Sequence, residues 1–379
     1  MLMKKISLLL VGLLAMFSCE QEDLDSMVNS GTGQIETRAV ASSIADFNPI
    51  NELAGIPVNI LNIGNTKNKY LSAESSGTKV KLVARDDNSA RQHWYLSGGN
   101  LPSIKLVGGN SSFSGSFIVP HNSFEPDYPL LVKEPSFGTL AVYAFISLPN
   151  NCYNIYPPVM GSEPIAHRYL QSDSQNGSDL KYKTDNTSLA QWEITPVGEY
   201  ELVDLEYVYT SVDNFNPTEV ICDRDTYENP SSSVVTWNYT VTTKYTESSN
   251  FSKTEGVSVS ISNGLSVGLP SVAGSPSIGI NTTMQQQTSK SWTYGNSDSK
   301  EITKTRTGNV PVQPHTTMKL EAVVFMYEGT VTYVATLRKI GDTKTFRVKG
   351  KWEGSCFSEF RAKTYDVVTG RLLNTYTLE

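Results

Sequence analysis

The sequence predicts an all-β protein, and three observations carry that prediction. Beyond about residue 55 no stretch keeps apolar residues at helical spacing, whereas short runs rich in Val, Thr and Tyr recur between clusters of Gly, Asn, Asp and Pro. Two stretches of the first half repeat one another. In the second half the strands lengthen and alternate strictly, as in "VVTWNYTVTTKYT", "MKLEAVVFMY", "TVTYVATLRK" and "TFRVKGKW".

The first element is an export signal. Lys4 and Lys5 precede an apolar run from Ile6 to Phe17, too short to span a bilayer as a helix and of the length of a secretory signal. Ser18-Cys19 and the acidic "EQEDLD" follow. A small residue before cysteine at this point resembles the cleavage box of bacterial lipoproteins, although Phe17 stands where a small residue is usual. The looser box and the acidic residues after it are similar to those of surface-exported lipoproteins of Bacteroidetes-type bacteria. The resemblance implies residues 1–18 as signal peptide, a lipid on Cys19, and export to an outer-membrane surface location. Ordinary secretion after a nearby cut is the alternative.

Residues 19–55 are polar, acidic and without sustained period, and read as a tether. Without the signal the chain carries 29 basic and 38 acidic residues, a balance that does not attract nucleic acid. Cys152, Cys222 and Cys356 remain, an odd number that allows one bridge at most. Cys222 with Cys356 is the expected pair, because both lie in the C-terminal half. Three pairings stay open, and three free buried thiols are the alternative.

The repeat lies in residues 56–197. Lys69 to Leu96, "KYLSAESSGTKVKLVARDDNSARQHWYL", matches Arg168 to Ile194, "RYLQSDSQNGSDLKYKTDNTSLAQWEI". Each has a Tyr-Leu start, a Gly-containing turn, a strand, an Asp-Asn turn, then glutamine and tryptophan. Trp94 and Trp192 are 98 residues apart, leaving room for one more unit of about 49, so a threefold repeat is expected. That middle unit, roughly Pro102 to Leu148, carries "LAVYAFISL" where the tryptophan should stand. Gln92-His93-Trp94 and, with its spacer lost, Gln191-Trp192 resemble the QxW signature of ricin-type β-trefoils. The likeness implies a β-trefoil whose core holds Gln92, Trp94, Gln191 and Trp192, and a partner that is a cell-surface glycan or glycoconjugate. Carried over by residue, the family's sugar site is poorly kept. Its aspartate position is Ser72 or Gln171, and its aromatic platform falls near Val83 and Lys183. The Asp-Asn turns, Asp86-Asp87-Asn88 and Asp185-Asn186, are the candidate glycan-binding groups, with turn chemistry as the simpler reading.

From residue 198 to 379 the composition shifts, and of the eighty residues from Ser231 to Val310 thirty are Ser or Thr. Within this region Gly256 to Ser289, thirty-four residues, holds no Asp, Glu, Lys or Arg in a chain that is 18% charged. Random placement gives that roughly once in a thousand windows. On the outgoing arm Val257, Val259, Ile261, Leu265, Val267 and Leu269 alternate with Ser or Gly. On the return arm Ile278, Ile280 and Met284 alternate with small polar residues. Pairing Leu269 with Ile278 across "PSVAGSP" puts both apolar sets on one face of an antiparallel hairpin. The outgoing arm extends roughly 43 Å, and a tilt of about 45° brings its span to about 30 Å, the hydrocarbon thickness of a bilayer. Lone hairpins leave unpaired backbone groups in lipid, so a closed ring of copies is required. An ordinary core strand and a Ser/Gly linker are the alternatives. Gly264 to Gly268, "GLSVG", lacks the buried strand and following helix of a nucleophile elbow.

This half resembles the pore-forming module of aerolysin-type toxins in its long Ser/Thr-rich strands, the uncharged segment between two of them, "WTYG" at Trp292, "VPVQPHT" at Val310 and "GKWEGS" at Gly350. The resemblance implies an elongated β-sandwich of long strands with an amphipathic insertion hairpin, a homo-oligomer on the membrane, and a target-cell bilayer as partner. Trp237, Tyr239, Trp292 and Tyr294 flank the hairpin, at the membrane interface or in the sandwich core. A non-lytic glycan-binding lipoprotein using the module as scaffold is the alternative.

His93, His121, His167 and His315 are scattered, and no HExxH, paired CxxC or phosphate-cradling loop occurs, so no cofactor, no metal and no enzyme activity is expected. Asp223 and Asp225 lack a full calcium ligand set and read as a surface turn.

Overall fold

The computed structural model describes residues 47–121, 127–135, 141–158, 167–251, 254–263, 266–267, 269–271, 283–286 and 292–379. The protein is all-β: among the described residues, helix is confined to α1 (Pro49–Glu52) and a 3₁₀ turn, Ser188–Ala190.

Among the described residues the first half contains twelve short strands in three successive groups of four. They are β1 (Pro57–Asn62), β2 (Tyr70–Ala73), β3 (Val80–Val83) and β4 (Trp94–Leu96); β5 (Ile104–Leu106), β6 (Phe117–Pro120), β7 (Pro129–Val132) and β8 (Ala144–Ser147); β9 (Tyr153–Tyr156), β10 (Tyr169–Ser172), β11 (Leu180–Lys183) and β12 (Gln191–Pro196). The middle strands of each group form an antiparallel hairpin. The outer strands join the groups, β1 to β12 and β4, β4 to β5, and β9 to β12 and β8. The hairpins are tied in a cycle: Leu82 N–H donates to the Ser178 carbonyl (2.7 Å), Leu131 N–H to Thr78 (2.8 Å) and Tyr182 N–H to Asp127 (2.8 Å). Trp94 and Trp192 are fully buried, and each indole donates to a carbonyl of its own hairpin, Leu71 (3.0 Å) and Leu170 (2.8 Å). Tyr143, forty-nine residues from each tryptophan, is the buried aromatic of the middle group, and its hydroxyl meets that of Tyr182 at 2.8 Å.

The second half is built on longer strands. They are β13 (Tyr200–Val208), β14 (Asn214–Asn229), β15 (Val235–Phe251), β16 (Ile261–Asn263), β17 (Ser266–Val267), β18 (Pro270–Ser271), β19 (Thr283–Gln286), β20 (Trp292–Thr293), β21 (Ser297–Val312), β22 (Thr316–Lys339), β23 (Thr345–Asp366) and β24 (Leu372–Leu378). β22, with 24 residues, extends about 80 Å. It pairs with β23 along one side and with β14, then β13, along the other. The β15–β21 hairpin folds over this sheet and closes a core of Tyr239, Val241 and Ile302 on Leu320, Phe357 and Phe360.

The sheets meet at the "GKWEGS" stretch, where two glycines bracket a buried tryptophan. A Cβ at Gly350 would lie 2.5 Å from the Tyr333 ring, and one at Gly354 would strike the Ser248 backbone. Trp352 fills the space, donates to Ser249 Oγ (2.9 Å) and meets Tyr207 edge-on. A single hydrophobic cluster runs from Leu53, Trp94 and Ile194 of the first half into Tyr200, Tyr333 and Trp352 of the second.

Two expectations are corrected. The tether does not reach residue 55: Asn48 caps α1, Ile50 and Leu53 are buried, and Glu52 binds Arg347 at 2.6 Å. One helical turn is too short for periodicity to show it. The Cys222–Cys356 bridge is also absent, and Cys152, Cys222 and Cys356 are free thiols. Cys222 lies in β14 and Cys356 in β23, on opposite sides of β22, and Cys356 faces Tyr327 while Cys222 sits at the bulge beside Ala322. Two strand spacings exceed the Cα separation a disulfide tolerates.

Trp352→Ala is expected to lower the free energy of unfolding by about 3–5 kcal/mol. Because the core is continuous, tyrosine fluorescence from the first half and strand circular dichroism should shift together in one denaturant transition. Two separated transitions would show that the halves are energetically independent.

Candidate functional site

The uncharged segment begins where β15 ends and is held at its root by both halves of the protein. The Asn151 side-chain amide donates to the Thr254 carbonyl (2.6 Å), Ser258 N–H to Ile194 (3.1 Å), Glu255 N–H to Lys349 (2.7 Å) and Tyr200 N–H to Ser260 (3.2 Å). The Thr254 hydroxyl donates to the Val257 carbonyl, and Glu255 pairs with Lys349 at 2.9 Å. Gly256 adopts φ +72°, and any Cβ there would collide with the Tyr153 hydroxyl and press on Pro49. Only glycine meets both demands.

Beyond this root the described parts of the segment pair with the sheet and with one another. β16 lies parallel to β13, β17 pairs with β20, and β18 pairs with β19, which pairs in turn with β13 at Tyr207 and Val208. Val257, Val267 and Leu269 are buried, and Val259 and Ile261 pack half-buried on the same core. Beneath them Phe251, Tyr294 and Tyr333 form a mutual aromatic group with centroids 5.3 to 5.7 Å apart. Burial pushes the Tyr294 hydroxyl well above its ordinary range and that of Tyr333 up to about 12, so both stay neutral. Between these rings and Val257, Val259 and Ile261 lies a pocket of about 360 Å³ that opens to solvent. Leu265, Ile278 and Ile280 lie outside the described residues, as does Cys19. Met284 sits in β19 opposite Tyr207.

The expected pairing of Leu269 with Ile278 lies outside the described residues. Among those described, Pro270 pairs with Gln286 and Ser271 with Gln285, and the Pro270 carbonyl accepts from the Cys356 thiol (3.2 Å). Of the flanking aromatics, Tyr239 and Tyr294 are buried and Trp237 stacks on Tyr227 at 5.1 Å. Asp223 and Asp225, read as a turn, lie within β14, where Asp223 accepts from the Tyr239 hydroxyl at 2.6 Å.

The strand that carries the segment is fixed at its end by Asp213, whose side chain is fully buried. It accepts from Thr210 N–H (2.7 Å), Thr210 Oγ1 (2.8 Å), Thr332 Oγ1 (3.0 Å) and Lys351 Nζ. Burial alone would raise its pKa, but these donors, Lys351 foremost, outweigh it and hold the carboxyl below its ordinary value.

The candidate glycan-binding residues are largely tied into the fold. Asp86 accepts from Asn59 Nδ2 (3.0 Å) and Asn88 N–H (2.8 Å), and contacts His93 Nε2 (2.6 Å). Burial opposes its charge, yet these bonds leave its pKa lowered. Asp87 binds Ser89 and Arg91, and Asn88 takes a left-handed φ of 58°. Asp185 accepts from Gln171 Nε2 (3.2 Å), and Asn186 Nδ2 donates to Asn154 Oδ1 (2.8 Å). Gln92 shares a 3.0 Å hydrogen bond with Ser72, while Gln191 Oε1 accepts from Asn150. Ser72 and Gln171 are buried rather than lining an open site. Sequence reasoning missed Asn151, Tyr153, Ile194 and Lys349, which hold the root. Gly256 at the edge of the uncharged run was their one local signal. Among the described residues no three of His, Cys, Asp and Glu are grouped as metal ligands.

No family model and no curated protein matches the chain. Among solved structures it is similar to a lamprey immune protein, with 15% identity over 84% of this chain and 94% of that one and a TM-score of 0.34. It is also similar to hemolytic lectin CEL-III, with 9% identity over 79% and 59% and a TM-score of 0.30. A third is the Mpp75Aa1.1 beta-pore-forming protein from Brevibacillus laterosporus, with 11% identity over 57% and 86% and a TM-score of 0.28. At these TM-scores the likenesses carry no argument about site or activity.

The Asp213 cluster sets an acid dependence. Its folded pKa lies below the unfolded value of about 3.9, so its contribution is present above that pH and is lost as pH falls through the folded pKa. Asp213→Asn should therefore lower the thermal midpoint at pH 7, and the gap from the unaltered protein should narrow below about pH 4. A gap of constant size from pH 7 to pH 3 would show that the carboxylate charge is not what secures β13.

Proposed function

We propose that this protein binds a target-cell surface through its first half, assembles into a ring with copies of itself, and converts the stored segment into strands of a transmembrane β-barrel. One observation carries the reading. A run of thirty-four residues without a charged side chain has its described apolar residues, Val257, Val267 and Leu269, buried and Val259 and Ile261 packed on the same core. The neighbouring long strands β15 and β21 differ in carrying Lys244 and Glu301 at exposed positions. A strand destined for lipid needs an uncharged outer face and must stay shielded from water until a ring closes its edges.

The first half acts in this reading as a ricin-type β-trefoil. Three four-strand groups with Trp94, Tyr143 and Trp192 at one repeated position support it, and a surface glycan or glycoconjugate is its partner. A lipid on Cys19 holds the exported protein at the outer membrane, and proteolysis in the region before Phe47 or vesicle shedding delivers it. A second reading, a non-lytic glycan-binding lipoprotein, is favoured by the burial of Val257, Val267 and Leu269, which a permanent core segment also requires.

A reversible lock separates the two. Val208 and Thr283 are paired residues of β13 and β19, so Val208→Cys with Thr283→Cys meets the spacing of a disulfide. Dye release from liposomes of bacterial or host lipid is expected for the unaltered chain from Ala41 onward, to vanish when the pair is oxidised and to return on reduction. Release that is indifferent to the lock would remove this segment from the membrane step. Silence of the unaltered protein on every lipid, with glycan binding intact, would establish the non-lytic reading.

A further inference from the structure

The three hairpins of the first half converge on a cavity of about 450 Å³, within the range of small-molecule sites, about 300–1,000 Å³. The cyclic hydrogen bonds set Thr78, Asp127 and Ser178 at one repeated position, each accepting from the residue that follows four places into the next hairpin's frame. Counting on from them places Val80, Pro129 and Leu180 at a second repeated position, all buried, where they make an apolar floor. Between the two lies a third position, occupied by Lys79, Tyr128 and Asp179. The repeat is thus kept in the floor and abandoned at the rim, where the groups contribute a cation, an aromatic ring and an anion. Asp127 and Lys181 complete the lining, so the charges balance at two of each sign.

We propose that this cavity is the receptor site of the first half and takes a neutral saccharide. The proposal rests on the surface-binding half of the function given above and moves its seat away from the Asp-Asn turns, whose polar groups are bonded within the fold. Balanced charge gives no net field to select an ion, whereas hydroxyl groups both donate and accept and are served by ammonium and carboxylate together. Lys79 and Asp179 pair at 3.1 Å with more than half of each side chain exposed, a contact of small net strength that ligand hydroxyls can replace. Tyr128, 44% exposed, stacks on His121 at 4.4 Å and 12°, and His121 also contacts Asp127 at 3.2 Å. The ring is therefore held in place and offers its remaining surface to the C–H face of a sugar. Lys181 also pairs with Asp173 at 3.0 Å.

The test is binding of the full chain to an array of immobilised neutral oligosaccharides of one to four rings. Tyr128→Ala and Asp179→Ala should each weaken retention about tenfold or more, the scale of one lost aromatic or charged contact. Tyr128→Phe, Asp87→Ala and Asn186→Ala should retain it. Asp179 is exposed, so its variant reports binding even where the loss of Tyr128 disturbs the fold. Full retention by Tyr128→Ala and Asp179→Ala, with loss in Asp87→Ala or Asn186→Ala, would overturn the inference and leave the glycan reading standing. An unaltered chain that binds no member of the array would overturn both.

Discussion

The pairing of β22 on both sides is the constraint on which the second half depends. A strand of 24 residues with β23 on one side and β14 then β13 on the other has no free edge over most of its length. Every other element of that half is positioned by its relation to this strand. β13 continues the sheet toward the first half, and β15 pairs with β23 at Trp352 to Ser355, where Gly354 lets the Ser248 backbone approach. Tyr333 and Trp352, which face the first half's core, come from neighbouring points of β22 and β23.

The uncharged segment is carried by this frame without being part of it. Among the described residues its strand pairing with the main sheet is to β13, and Val257, Val259 and Ile261 lie by Phe251, Tyr294 and Tyr333. The root is held by four hydrogen bonds shared with Asn151, Ile194, Lys349 and Tyr200 and by a glycine fitted under Tyr153. Contacts to both halves at one root couple the state of the segment to the way the halves sit together.

The first half solves a different problem, closing three similar groups around an axis. Its floor and its cyclic hydrogen bonds need the same geometry three times, so backbone and apolar positions repeat. The rim has no such requirement, and there the three groups have diverged to Lys79, Tyr128 and Asp179. The Asp-Asn turns engage their polar groups within the fold. Asp86 is satisfied by Asn59, Asn88 and His93 and closes its own turn.

Alternation and repeat spacing were legible without coordinates, because side-chain direction in a strand follows position alone. They led to the all-β architecture, the long strands and the expectation of a middle unit of about forty-nine residues, in which the structure then places Tyr143. They misjudged residues 47–55, where a single helical turn has no period, and the Cys222–Cys356 pair, which needed to know that β22 runs between them. The sequence by itself determined which residues are apolar, which segment excludes charge and where the groups repeat, because these are local properties of the chain. Only the tertiary structure decided that the segment is stored on Tyr333, that Asn151 holds its root across 103 residues of sequence, and that three hairpins enclose a cavity. Those depend on contacts between distant parts of the chain, and no local pattern encodes them.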